Sequence, residues 1–181
     1  MRKTFLFLGL SSLILTACKK DVKEPDNTAN EQITSVRLTV TKIGSTDTIK
    51  AEYKDLDGAG GNAPTFTSLL LKANTHYSVL TEFWNEAVTP AENFNTEINN
   101  ESNDHRAFYS FKKGFFNPVI GDYDGNTPSL PIGLKSTWHT AQLGNDTVKI
   151  TLKHMPNGTK KDDITVGSTD AEAMIPIVVA N

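Results

Sequence analysis

Cysteine is almost missing from this sequence: Cys18 is the single one in 181 residues. One thiol cannot close an intrachain disulfide, so the chain must fold without such a staple. Long apolar runs are missing as well. The longest, Phe5 to Leu15, is little more than half of the roughly 20 residues that cross a bilayer as a helix. There is no excess of positive charge: 18 Lys and Arg stand against 21 Asp and Glu, a formal charge of −3. That balance speaks against nucleic acid as the main partner. Catalytic signatures are also lacking. The chain has no glycine-rich phosphate loop ahead of a helix, no Gly-x-Ser-x-Gly elbow and no His-Glu-x-x-His pair. Its carboxylates are numerous, yet nothing ties two of them to a sugar-cleaving geometry. The expectation is a protein that is not an enzyme.

What is present begins at the N-terminus. Arg2 and Lys3 precede the apolar segment, and small residues follow it up to Cys18, which is the layout of a secretory signal over residues 1–17. Leu15-Thr16-Ala17-Cys18 resembles the lipobox of bacterial lipoproteins, in which the thiol is acylated and the preceding segment is removed. Each buried acyl methylene contributes about 0.8 kcal/mol, and more than one chain makes the anchoring stable. The solitary thiol thereby acquires a use, and no thiol nucleophile remains. Removing the leader takes two positive charges with it and leaves the chain more acidic.

Residues 18–32 follow as lipidated cysteine and tether. The run KKDVKEPDNTANEQ has one valine among polar residues, alanine and proline, too little apolar surface to order itself. Lys19-Lys20-Asp21 resembles the short charged signals that send lipoproteins of the Bacteroidota to the outer face of the outer membrane. The implied location is the outer membrane, lipid-anchored and surface-exposed.

From residue 33 the pattern changes to a period of two. Val36, Leu38 and Val40 alternate with polar residues; after Gly44-Ser45-Thr46-Asp47, so do Ile49, Ala51 and Tyr53. This predicts a hairpin with one buried face. Val148, Ile150 and Leu152 repeat the pattern late in the chain, and further strands are expected at 66–71, 77–84, 107–111, 134–139 and 173–179. Pro176 should place the last on an edge or at a bulge. Between residues 89 and 105 a short helix or a long polar loop is expected, with Thr89 as N-cap, Pro90 at the first helical position and Glu92 completing a capping box. Residues 33–181 read as one all-β domain, a single β-sandwich, immunoglobulin-like or related.

Leu71-Lys72-Ala73-Asn74-Thr75-His76-Tyr77 resembles the tyrosine corner of immunoglobulin-like and fibronectin type III sandwiches, in which the tyrosine hydroxyl bonds backbone at the sandwich edge. Over most of its length the chain is also similar to small outer-membrane lipoproteins of the Bacteroidota whose function is unknown. The residues that carry this likeness are YKDLDGAGGNAP (53–64), LKANTHY (71–77), NEAVTPAE (85–92), Asp104-His105 and TLKHMP (151–156). Such sequences are sometimes called "type 1 periplasmic binding fold superfamily protein". That fold needs two α/β lobes and much more chain, whereas the periodicity here is β.

Two Asp-x-Asp-Gly loops offer carboxylates at alternate positions, Asp55 with Asp57 and Asp122 with Asp124. Such pairs can converge on calcium, although neither completes an EF-hand pattern and Asp-Gly is itself a favoured turn. Glu97, Glu101 and His105 are spaced i, i+4, i+8, and on a helix would share one face. His154 falls on the core face of its strand. If His105 and His154 met, with Glu101 or Asp104 beside them, a zinc, copper or haem site would result. His76 and His139 lie in aromatic strand contexts with no neighbouring ligand pattern. Asp47-Thr48-Ile49 and Asp146-Thr147-Val148 resemble the sequence at which Bacteroidota O-glycosylate exported proteins, which makes Thr48 and Thr147 candidate modification sites. The functional expectation is an anchored binding or accessory module, with an outer-membrane uptake receptor as a candidate partner. The alternatives are metal or haem capture at His105 and His154, or a calcium-stabilised surface domain.

Overall fold

The computed structural model describes residues 32–58 and 60–181; the leader, Cys18 and the tether lie outside the described residues. The chain forms an all-β sandwich of two sheets with one small helix. β1 (Ser35–Lys42) and β2 (Thr48–Lys54) pair as the hairpin that the alternation predicts, with Val36, Leu38, Val40 and Ala51 buried. The segment expected as one strand at 66–71 is two. β3 (Thr65–Phe66) pairs with β2, and β4 (Leu69–Lys72) crosses to the other sheet, where it runs parallel to the last strand. The crossing stitches the two sheets together along one side.

β5 (Thr75–Asn85) lies beside β1. β6 (Glu92–Asn93) pairs with the end of β5, and α1 (Asn95–Asn100) follows at once. The helix therefore starts later than Thr89 and Pro90 suggest, with Phe94 as N-cap. The reason is Asn95, whose amide accepts from the Phe83 N–H at 2.9 Å and donates to the Thr81 carbonyl at 2.8 Å. This holds the preceding residues extended against β5. Asparagine is a weak helix former, and here its side chain serves the neighbouring strand.

β7 (His105–Phe111), β8 (Val119–Ile120), β9 (Lys135–Thr140), β10 (Gly144–His154) and β11 (Ser168–Ala180) complete the fold. The larger sheet runs β3-β2-β1-β5-β9-β8, with β6 attached to β5; the smaller runs β4-β11-β10-β7. β11 is thus an inner strand, but β4 covers only Ile177–Ala180, so Pro176 sits where one side of β11 has no ladder partner. That position spares the ladder the N–H that proline lacks.

The inner faces meet over Leu38, Phe83, Trp138, Ile150, Leu152, Ile175 and Ile177, all fully buried. The second side of the sandwich is closed by residues 132–134. Ile132 accepts from the Ala107 N–H at 2.7 Å, and Leu134 from the Thr81 N–H at 2.8 Å, which joins both sheets. Gly133 makes this approach possible: its φ is +89°, and a Cβ there would lie 2.4 Å from the Ala107 carbonyl oxygen. Tyr77 occupies the corner position, with its hydroxyl accepting from the Lys72 N–H at 2.9 Å.

Candidate functional site

The β7–β10 register decides where the histidines go. His105 stands directly opposite His154 in the antiparallel ladder, so both side chains leave the same face. Cross-strand neighbours have their Cβ atoms about 4.5–5.5 Å apart. The two imidazoles stack with centroids 4.5 Å apart and planes 8° from parallel, and both are buried. Glu101 joins them without a continuous helix. α1 ends at Asn100, and the turn that follows keeps the i, i+4 proximity through the His105 N–H, which donates to the Glu101 carbonyl at 3.2 Å.

Glu101 Oε2 lies 3.8 Å from His105 Nδ1, and Asp170 Oδ2 lies 3.7 Å from His105 Nε2. Asp170 has no sequence signal. In the β10–β11 ladder Leu152 faces Ala171 and Lys153 faces Thr169, so Asp170 is the extra residue of a β-bulge. Bulges re-aim side chains. This one puts the Asp170 carboxylate, with no exposed surface, beside the ring of His105.

Gly167 tightens the same corner. At φ +75° it packs so closely that a Cβ would fall 2.2 Å from the His154 carbonyl oxygen and 2.5 Å from Met155 Cγ. The Met155 N–H donates to the Asp104 carbonyl at 2.6 Å. Asp104 thus contributes backbone to the corner, and its carboxylate is not among the clustered donors.

Among the described residues Glu101, His105 and His154 are the grouping of three metal-ligating side chains, with donor atoms all within 4.8 Å of one another. Separations of 3.7 and 3.8 Å exceed hydrogen-bonding distance. The 3.8 Å from Glu101 to His105 Nδ1 is near the ligand spacing of about 3.3 Å on a tetrahedral ion with bonds of about 2.0–2.1 Å. Parallel rings aim their in-plane lone pairs alongside each other, so sharing one ion requires one ring to turn about χ2. A haem iron held by both imidazoles would need the space between the rings, which their face-to-face contact already fills. The donor set, two imidazoles and a carboxylate, suits zinc and its first-row neighbours.

The aspartate loops have other employment. Asp55 accepts from the Gly58 N–H at 2.9 Å, and Asp57 from the Asn62 N–H and side-chain amide at 3.0 and 2.6 Å. The hydrogen bonds from Asn62 hold the Asp57 carboxyl below the usual carboxylate range. Asp122 accepts from the Gly133 and Leu134 N–H groups at 3.0 and 2.9 Å and so anchors the segment that closes the sandwich. Asp124 accepts from the Asn126 and Leu130 N–H groups and from buried Lys160, whose Nζ lies 3.0 Å away. These contacts account for all four carboxylates as loop anchors. Lys160 also donates to the Ser102 carbonyl at 2.6 Å, tying its loop to the turn beyond Glu101.

Of the candidate glycosylation sites, Thr48 is exposed and Thr147 half-buried. The Asp146 carboxylate beside Thr147 is buried and accepts from the Lys113 N–H at 2.9 Å. On the outer face of the larger sheet a groove of about 560 Å³ includes Arg37, Glu52 and Trp84 in its lining. The Arg37 guanidinium lies 4.6 Å above the indole and bonds Glu52 at 2.6 Å.

His76 and His139 also depart from the sequence reading, because they too form a pair. They face each other across the β5–β9 ladder, both exposed, with ring centroids 4.3 Å apart. All four histidines of the chain are therefore used in two cross-strand pairs, one inside and one outside. No family model, curated protein or solved structure matches the chain.

Proposed function

We propose that this protein is a lipid-anchored, non-catalytic binding module of the outer membrane, and that its ligand is a divalent transition metal held by His105, His154 and Glu101. The observation that carries the metal reading is the convergence of those three donors within 4.8 Å of one another, with both histidines buried. Asp170 supports it from behind. A ligating imidazole ordinarily gives its second ring nitrogen to a carboxylate, which fixes the tautomer and the ring orientation. With Glu101 at Nδ1 and Asp170 at Nε2, His105 has a carboxylate on each side. The ion would sit on the Glu101 side, and Asp170 would orient the ring once the ring's turn toward the ion closes the 3.7 Å between them to a hydrogen bond.

Anchoring rests on the sequence around Cys18. In this reading the acylated Cys18 is the point of attachment; among the described residues no helix is long and apolar enough to cross a membrane. Palmitate labelling tests it. Wild-type protein should incorporate the label and Cys18→Ala should not; equal labelling of the two would refute the anchor.

Calorimetric titration of the full chain in detergent with Zn²⁺ tests the metal. His105→Gln and His154→Gln should each weaken the tighter binding phase at least tenfold, while circular dichroism shows both variants folded. Unchanged affinity in both folded variants would remove the reading.

A further inference from the structure

We infer that His76 and His139 form a second metal site, open to solvent and distinct from the buried cluster, which takes a first-row divalent ion, Cu²⁺ above the others. The two residues are register partners on adjacent antiparallel strands, so the backbone already holds them side by side. Their centroids are 4.3 Å apart and their planes 20° from parallel, and both side chains are exposed on the outer face of the larger sheet. Two ligand atoms on one ion with bonds of about 2.0 Å stand about 2.8 Å apart when adjacent and about 4 Å apart when opposite. As in the buried pair, stacked rings aim their lone pairs alongside each other, so one ring must turn about χ2 to share an ion. Both rings are exposed, which leaves them freer to turn than the buried pair.

The chemistry of the pair selects the ion. Two neutral imidazoles without a carboxylate favour borderline and softer divalent metals over calcium or magnesium, and among first-row ions the order of affinities peaks at copper. Positioning by the ladder removes part of the entropic cost of bringing the two donors together. The remaining coordination positions face water, so this ion exchanges quickly. A metal at the buried cluster must pass between packed side chains and exchanges slowly. The two sites therefore differ in rate as well as in ligand set.

The test is a Cu²⁺ titration of the full chain in detergent, followed by calorimetry and by electron paramagnetic resonance, on wild type, His76→Ala, His139→Ala and His105→Gln. Because His76 and His139 are exposed, their alanine variants are expected to fold as wild type does. Each should lose one rapidly exchanging copper and its nitrogen hyperfine pattern, with affinity at that site falling at least tenfold, while His105→Gln keeps it. Retention of the rapidly exchanging copper in both alanine variants would overturn the inference, as would a wild-type protein with no such copper. Either result leaves the buried cluster to be judged by the zinc titration alone.

Discussion

The Lys160 ammonium lies 3.0 Å from Asp124 Oδ2, and neither side chain has appreciable exposed surface. Burial pushes the Lys160 amine below its usual range, while Asp124 opposes the shift. Burial alone would raise Asp124, but hydrogen bonds from Leu130, Lys160 and Asn126 outweigh it and hold the carboxyl low. Removing one member of a buried pair strands the other charge, at a cost of about 3–5 kcal/mol. Asp124→Asn is expected to destabilise the fold by about that amount, measured by urea denaturation. Combining it with Lys160→Met should recover most of the loss, since neither charge of the pair is then left without its partner.

Acid should weaken the fold through a small set of carboxylates. Asp124 is one. Glu86 is another: burial alone would raise it, but hydrogen bonds from Lys54 and Ser35 and the charge of Arg37 hold it below the usual range. A carboxyl depressed in the folded state contributes stability that is fully present above its unfolded pKa and lost as the pH falls through the folded value. The denaturation midpoint should therefore be flat well above the ordinary carboxylate values of about 4 and decline below them. Glu86→Gln should make the decline shallower.

Gly167→Ala should act on the histidine corner from outside it. Alanine is strained at positive φ, and its Cβ would strike the His154 carbonyl. A loss of stability above about 1 kcal/mol is expected, read from thermal denaturation, together with weaker zinc binding because His154 is displaced. The same substitution at Gly44, also at positive φ but with nothing within 4 Å of the added Cβ, should leave zinc binding unchanged.

Tyr77→Phe removes a hydroxyl that accepts the Lys72 N–H. The expected cost is about 1 kcal/mol, measured by chemical denaturation with the sandwich otherwise intact.

The parts of the fold legible in the sequence are those fixed by local periodicity. The β1–β2 hairpin follows from Val36, Leu38 and Val40, and the inward aim of His154 from its parity with Leu152. The pairing of His105 with His154 depends on the β7–β10 register, which joins distant segments and leaves no local trace. Glu101 and His105 are related at helical spacing, yet a turn after a short helix keeps them together. Asp170 could not be read at all, because a bulge shifts a side chain to the other face without altering the residue pattern. His76 and His139 look unremarkable singly; only the β5–β9 register makes them neighbours. Lys160 sits in a polar loop sequence and gives no sign of burial.

Crystals of the protein grown with Zn²⁺ and measured across the zinc absorption edge test the buried site most directly. The expected anomalous peak lies between Glu101, His105 Nδ1 and the His154 ring, with one imidazole turned out of the stacked arrangement. A map with no peak there at saturating zinc, and with both rings still face to face, would contradict the metal assignment.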